Sequence, residues 1–182
     1  VEGLALGFGY NRTMKLPTID QVGQFPLIKH AMATAAAPKS PMEVVAELGQ
    51  HIPSAVGEYF VTAGVRFTSF KNINGFVLLT ALFGQHFEID LLGKATLSSP
   101  PNQAKPLVSA SLALLARFAP DEGELRVMAK LLPDAYVFSP DCHLTGGFAF
   151  YCWFGEKNKG DFALTLGGYG KYFEPPAHYP RV

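Results

Sequence analysis

The chain is short of charge. Asp, Glu, Lys and Arg make up 16% of its 182 residues, against roughly 25% in an ordinary soluble domain. A surface so poor in ions is expected to be covered in part by something else. The fifteen basic and fifteen acidic residues cancel, and the basic ones are scattered singly. That excludes the concentrated basic footprint by which proteins hold nucleic acid. Cysteine is also scarce: Cys142 and Cys152 are too few for a disulfide framework. Buried free thiols are the expected state, with a single bridge as the alternative. No apolar run approaches the roughly 20 residues of a membrane-spanning helix, and no charged-then-apolar leader pattern is visible. The chain starts Val1-Glu2-Gly3 without an initiator Met, so it is expected to be an excised or processed segment.

Familiar catalytic signatures are missing too. Gly7-Phe8-Gly9 lacks the third glycine of a dinucleotide fingerprint. Around Gly167-Gly168-Tyr169-Gly170-Lys171, Thr165 and Tyr172 stand where a phosphate loop needs Gly and Ser/Thr. There is no Gly-x-Ser-x-Gly, His-Glu-x-x-His or Cys-x-x-Cys. The glycine clusters read as strand ends that need positive φ or close backbone approach. Asn11-Arg12-Thr13 is a glycosylation sequon, which matters only in a secretory setting.

What the chain has in quantity is strand pattern. Fifteen Phe and seven Tyr accompany one Trp, a composition that favours β structure and large aromatic contacts. Residues 3–9 alternate Leu4, Leu6 and Phe8 with Ala5, Gly7 and Gly9, a strand with one bulky and one small face. Residues 59–68 alternate in the same way. Phe76–Phe83 is apolar on both faces, as a strand covered on both sides would be. Alternation returns at 86–92, 107–118 and 125–131, where Pro120-Asp121-Glu122-Gly123 closes a hairpin. Further strands are expected at 135–138, 147–154 and 161–167. Thr18–Val22 suits a helical turn. Ser40-Pro41-Met42-Glu43, with a capping Ser, Pro at the first position and Glu three residues after the cap, opens a short helix that Gly49 closes. An echo links Gly75–Leu91 with Gly147–Leu166 and suggests a repeated hairpin.

The expected fold is therefore mainly β: an antiparallel meander or sandwich of about seven to eight strands with one or two short N-terminal helices. Residues 1–56 form the N-terminal strand, irregular segment and helix. Residues 57–172 form the sheet core, and 173–182 a Pro-rich exit segment, all within one structural domain of a longer chain.

Candidate chemistry is thin. His86, Glu88 and Asp90 share one strand face, the sharpest arrangement for acid–base or metal work. Alternate positions stand about 7 Å apart, too far for the outer pair to close on one ion. The plainer reading is a solvated face opposite Phe87, Ile89 and Leu91. Asp141-Cys142-His143 sets a carboxylate, a thiol and an imidazole in sequence, but extended neighbours point to opposite faces. Asp141, His143, His86, Glu88 and Asp90 are accordingly the suspects for catalysis, with no metal or cofactor implied. Phe148, Phe150, Tyr151, Trp153 and Phe154 are the candidates to line an apolar groove.

Three stretches resemble a known family. They are Gly3–Pro26, containing Gly-Phe-Gly-Tyr-Asn-Arg and Leu-Pro-Thr-Ile-Asp-Gln-Val-Gly-Gln-Phe-Pro-Leu; Ala63–Phe70; and Cys142–Gly170 running into Pro175–Pro180. In order and spacing the chain is similar to domain-of-unknown-function family 6603, described from very long bacterial and fungal proteins. The resemblance implies an interior segment of a β-rich protein and carries no catalytic residues with it. The expected function is a non-catalytic β-sheet module of a larger protein or assembly, covered by neighbouring domains of the same chain or by other subunits. An apolar-ligand or lipid-binding groove is the alternative, and an enzyme of unknown class a second one.

Overall fold

The computed structural model describes residues 1–32, 41–170 and 172–180. The expected cap Ser40, residues 33–37 of the Ala-rich stretch, and the side chains of Val44 and Val45 lie outside the described residues.

The strands form one antiparallel sheet. They are β1 (Gly3–Arg12), β2 (Ser54–Ser69), β3 (Ile73–Phe83), β4 (Glu88–Ser99), β5 (Val108–Ala119), β6 (Glu124–Leu131), β7 (Tyr136–Val137), β8 (Ser139–His143), β9 (Gly147–Trp153) and β10 (Phe162–Leu166). In space the order is β1-β2-β3-β4-β5-β6-β9-β10, a meander broken only where β7 and β8 branch off β5. The meander is thus the arrangement adopted, with no second sheet among the described residues. β1 pairs with β2 along most of its length, so the N-terminal strand belongs to the sheet core.

Local chemistry explains the turns. Between β2 and β3, Phe70 and Lys71 both take positive φ, 53° and 61°, which suits the right-handed twist of the flanking strands. Between β5 and β6 the chain passes through Pro120 and ends on Gly123 at φ 67°. A Cβ on Gly123 would sit 2.1 Å from the Cα of Gly155. Only glycine lets the β5–β6 turn and the end of β9 approach this closely.

One side of the sheet is covered. The 3-10 helix Ile19–Gln24 and helix α1 (Pro26–Met32) lie across it. Val22, Phe25 and Ile28 pack there with Met14, Phe60, Phe76, Leu78, Leu82, Leu92 and Ala113. Helix α2 (Pro41–Gly49) follows, as the sequence implied. Gly7 and Gly9 of β1 face the same side, where a Cβ on Gly9 would meet the Phe60 ring at 2.1 Å. The Pro-rich exit segment is a packed arm on this side: Tyr179 stacks on Trp153 at 5.7 Å between ring centroids. Tyr179 also donates a hydrogen bond to Asp161 at 2.9 Å.

The other side is open. Leu78 is 2% exposed, while Leu79, the next residue of β3, is 47% exposed. The expectation that both sides of the central strands exclude water holds for one side of this chain only.

Candidate functional site

The pairing register sorts the side chains of the sheet into rows. On the open face one row runs Leu4, Val65, Val77, Gly93, Leu114, Ala129, Phe148, Leu166 across eight strands. The next runs Leu6, Ala63, Leu79, Leu91, Ala116, Val127, Phe150, Leu164, and the third Phe8, Val61, Ala81, Ile89, Phe118, Leu125, Cys152, Phe162. No charged side chain interrupts them, and Cys152 carries their only polar hydrogen. Apart from Gly93, which has no side chain, every member is exposed or half-buried. Below the third row lies an aromatic rim: Tyr59 stacks on Phe83 at 5.8 Å, Tyr10 meets Tyr59 edge-on, and Phe118 stacks on Phe154 at 5.9 Å.

The covered face holds the charges. One of its rows reads Gly7, Thr62, Thr80, Asp90, Arg117, Arg126, Tyr151, Ala163. Arg117 is the hub: its guanidinium donates to Glu88 at 2.6 Å and to Glu122 at 2.8 Å, and stands 3.6 Å from Glu124. Arg126 donates to Glu124 at 2.7 Å and lies over the Tyr151 ring, 5.3 Å from its centroid. Burial works against the Arg117 cation, but the Glu88 bond and the acidic neighbours outweigh it and hold the proton more tightly than usual. Asp90 is 1% exposed, and neither carboxyl oxygen has a hydrogen-bond donor among the described residues. Burial first, and then the adjacent Glu88, push its pKa up to about 8. Asp90 is therefore protonated over much of the neutral range. Glu88, Arg117, Arg126 and Tyr151 line a cleft of about 1190 Å³ with Met14, Leu16 and other residues of the N-terminal segment.

This geometry reverses one expectation. Glu88 and Asp90 lie on the covered face, while Ile89 and Leu91 lie on the open one. The physical reason is that Arg117 and the overlying N-terminal segment give the carboxylates partners and cover, which alternation within one strand cannot reveal. His86 sits in the β3–β4 turn, exposed. Asp141, Cys142 and His143 are exposed on β8, with Asp141 bonded to Ser139. The five catalytic suspects do not form one constellation. β8 reaches the sheet only through β7 at the Val108 end of β5, whereas Glu88 lies level with the opposite end of that strand. Among the described residues no three His, Cys, Asp or Glu side chains are placed to hold a metal ion. Both cysteines are free, and Cys142 is exposed where a buried thiol was expected.

The groove set divides as well. Phe148 and Phe150 point to the open face and Phe154 joins its rim. Tyr151 and Trp153 point to the covered face, where Met128 and Tyr179 pack against them. Residues drawn from both odd and even positions along one strand cannot line a single face. The two halves of the hairpin echo differ in facing: Phe76 lies on the covered side and Phe148 on the open side. Sequence reasoning did not pick out Arg117, Arg126 or Glu124 as a group. They meet only through the β4–β5–β6 register, and the local signal is that Arg117, Glu124 and Arg126 each stand at an alternating polar position.

No curated protein and no solved structure matches the chain. No helix among the described residues is long and apolar enough to cross a membrane. The model of a family of unknown function, DUF6603, matches residues 1–182. With the whole of its length matched, the chain belongs to the DUF6603 family.

Proposed function

We propose that the chain is a non-catalytic β-sheet module whose open face is an association surface, covered by neighbouring domains of a longer protein or by other subunits. The observation that carries this reading is the set of three uncharged rows spanning eight strands. With strands about 4.8 Å apart and same-face residues about 7 Å apart, these rows cover roughly 700 Å². That approaches the roughly 800 Å² per partner of a standard protein interface, and it exceeds the apolar patches ordinarily left bare. The suspects for catalysis supply no nucleophile–base pair, and the charged cluster on the other face reads as an ion network that fixes β4, β5 and β6 together.

The test is binding of an apolar fluorescent dye to the folded chain, with and without Leu79→Lys and Leu91→Lys together. Strong enhancement by the native chain, lost in the double variant while the circular dichroism spectrum is kept, is the expected result. A folded native chain that gives no enhancement would refute the association surface.

A second reading, an apolar-ligand or lipid surface, draws on the Phe148, Phe150, Phe118 and Phe154 side of the same face. Its lack of hydrogen-bonding groups suits aliphatic chains. Mass spectrometry of the purified chain would find co-purifying lipid if this reading holds, and none if it fails.

A further inference from the structure

We propose that β1 and β10 are pairing edges for one another in neighbouring copies of this chain, so that the sheet continues head to tail. Among the described residues neither outer edge has a partner strand. The usual protection is confined to one end of one edge, where β1 carries a bulge and Arg12 past Tyr10. From Gly3 to Tyr10 and from Phe162 to Leu166 there is no charged residue and no proline, the devices by which proteins keep open edges from pairing.

The two edges also fit each other. The path from β1 to β10 contains eight strands, each antiparallel to the next. An even number means that β10 of one copy meets β1 of the next antiparallel, as the sheet requires. The register agrees with this. Leu4 and Leu166 end the same row, as do Leu6 and Leu164, and Phe8 and Phe162. A copy set beside its neighbour at the same height therefore continues all three apolar rows without a break. On the covered face the meeting residues are Ala5 and Gly7 against Thr165 and Ala163, small enough to pair without a clash.

Exposure points the same way. Leu4, Leu6 and Phe8 are 78%, 86% and 66% exposed, and Phe162, Leu164 and Leu166 are 63%, 60% and 78%. Leu79, at mid-sheet on the same face, is 47% exposed because strands flank it on both sides. What the edge residues lack is a neighbouring strand. Because the two edges differ, the contact is heterologous and closes into a ring or runs on as a filament.

The inference rests on the edges and is independent of what covers the open face. Its test is therefore run in the Leu79→Lys background, which suppresses face association, and is read by sedimentation velocity. The background chain is expected to form species larger than a dimer. Adding Leu6→Lys should leave a monomer, and so should adding Leu164→Lys. A mixture of the two should give a heterodimer, because each variant keeps one intact edge. Circular dichroism confirms folding, and Leu4→Lys replaces Leu6→Lys if that variant does not fold. A monomeric background chain would overturn the proposal. So would association that survives Leu164→Lys but not Leu6→Lys, which would mean that β1 pairs with itself.

Discussion

Asp90 is the residue whose chemistry departs furthest from its type. A carboxyl group buried without a donor costs about 1–3 kcal/mol when left unpaired and more when ionised. The fold answers by keeping it protonated, with the pKa raised from 3.8 to about 8. The sign of the linkage follows. Between those values the folded chain binds a proton that the unfolded chain has released, so stability falls as pH rises from about 4 to about 8 and levels off above. Asp90→Asn keeps the shape and removes the titration. Urea unfolding of the native chain should show that decline. The variant should show a flatter profile and be the more stable of the two at pH 8, by about 1–3 kcal/mol. Parallel profiles for the two proteins would contradict this role for Asp90. Alternation marked Glu88 and Asp90 as one face of a strand but did not say which face is covered. That depends on Arg117, 27 positions further on, and on a helical segment that precedes the sheet core in the chain.

At the scale of elements, the N-terminal segment decides which side of the sheet becomes the core. Phe25 and Ile28 are 1% and 0% exposed, on the 3-10 helix cap and α1 respectively. Phe25→Ala should destabilise the chain by about 3–5 kcal/mol. Thermal or chemical unfolding measures this, and a loss below about 1 kcal/mol would mean that the segment is not part of the core. The strands were legible because alternation is a local property: residues 59–68 and 107–118 each declared themselves without reference to the rest of the chain. The groove set divides between the two faces for the complementary reason. Phe148 and Trp153 share strand β9 but lie on opposite faces, and the Pro-rich arm that covers Trp153 through Tyr179 comes 26 positions later. Nothing in β9 itself announces that partner.

For the whole molecule, low charge is explained by where the charges went. Arg66, Asp90, Lys94, Arg117, Glu124, Arg126 and Lys130 all project to the side that carries the N-terminal segment. The opposite side keeps three rows free of ions. Composition revealed the shortage of charge but not that it falls on one face. That required the register of all eight strands at once.

One face of this sheet is the chain's own core, and association is the role proposed for the other. Neighbouring residues of β3 separate the two, since Leu78 is 2% exposed and Leu79 is 47% exposed. The most direct measurement is the unfolding free energy of Leu78→Lys and of Leu79→Lys in urea. Leu78→Lys is expected to fail to fold or to lose most of its stability, while Leu79→Lys is expected to fold with stability within about 1 kcal/mol of the native chain. Equal damage from both substitutions would contradict this division of faces.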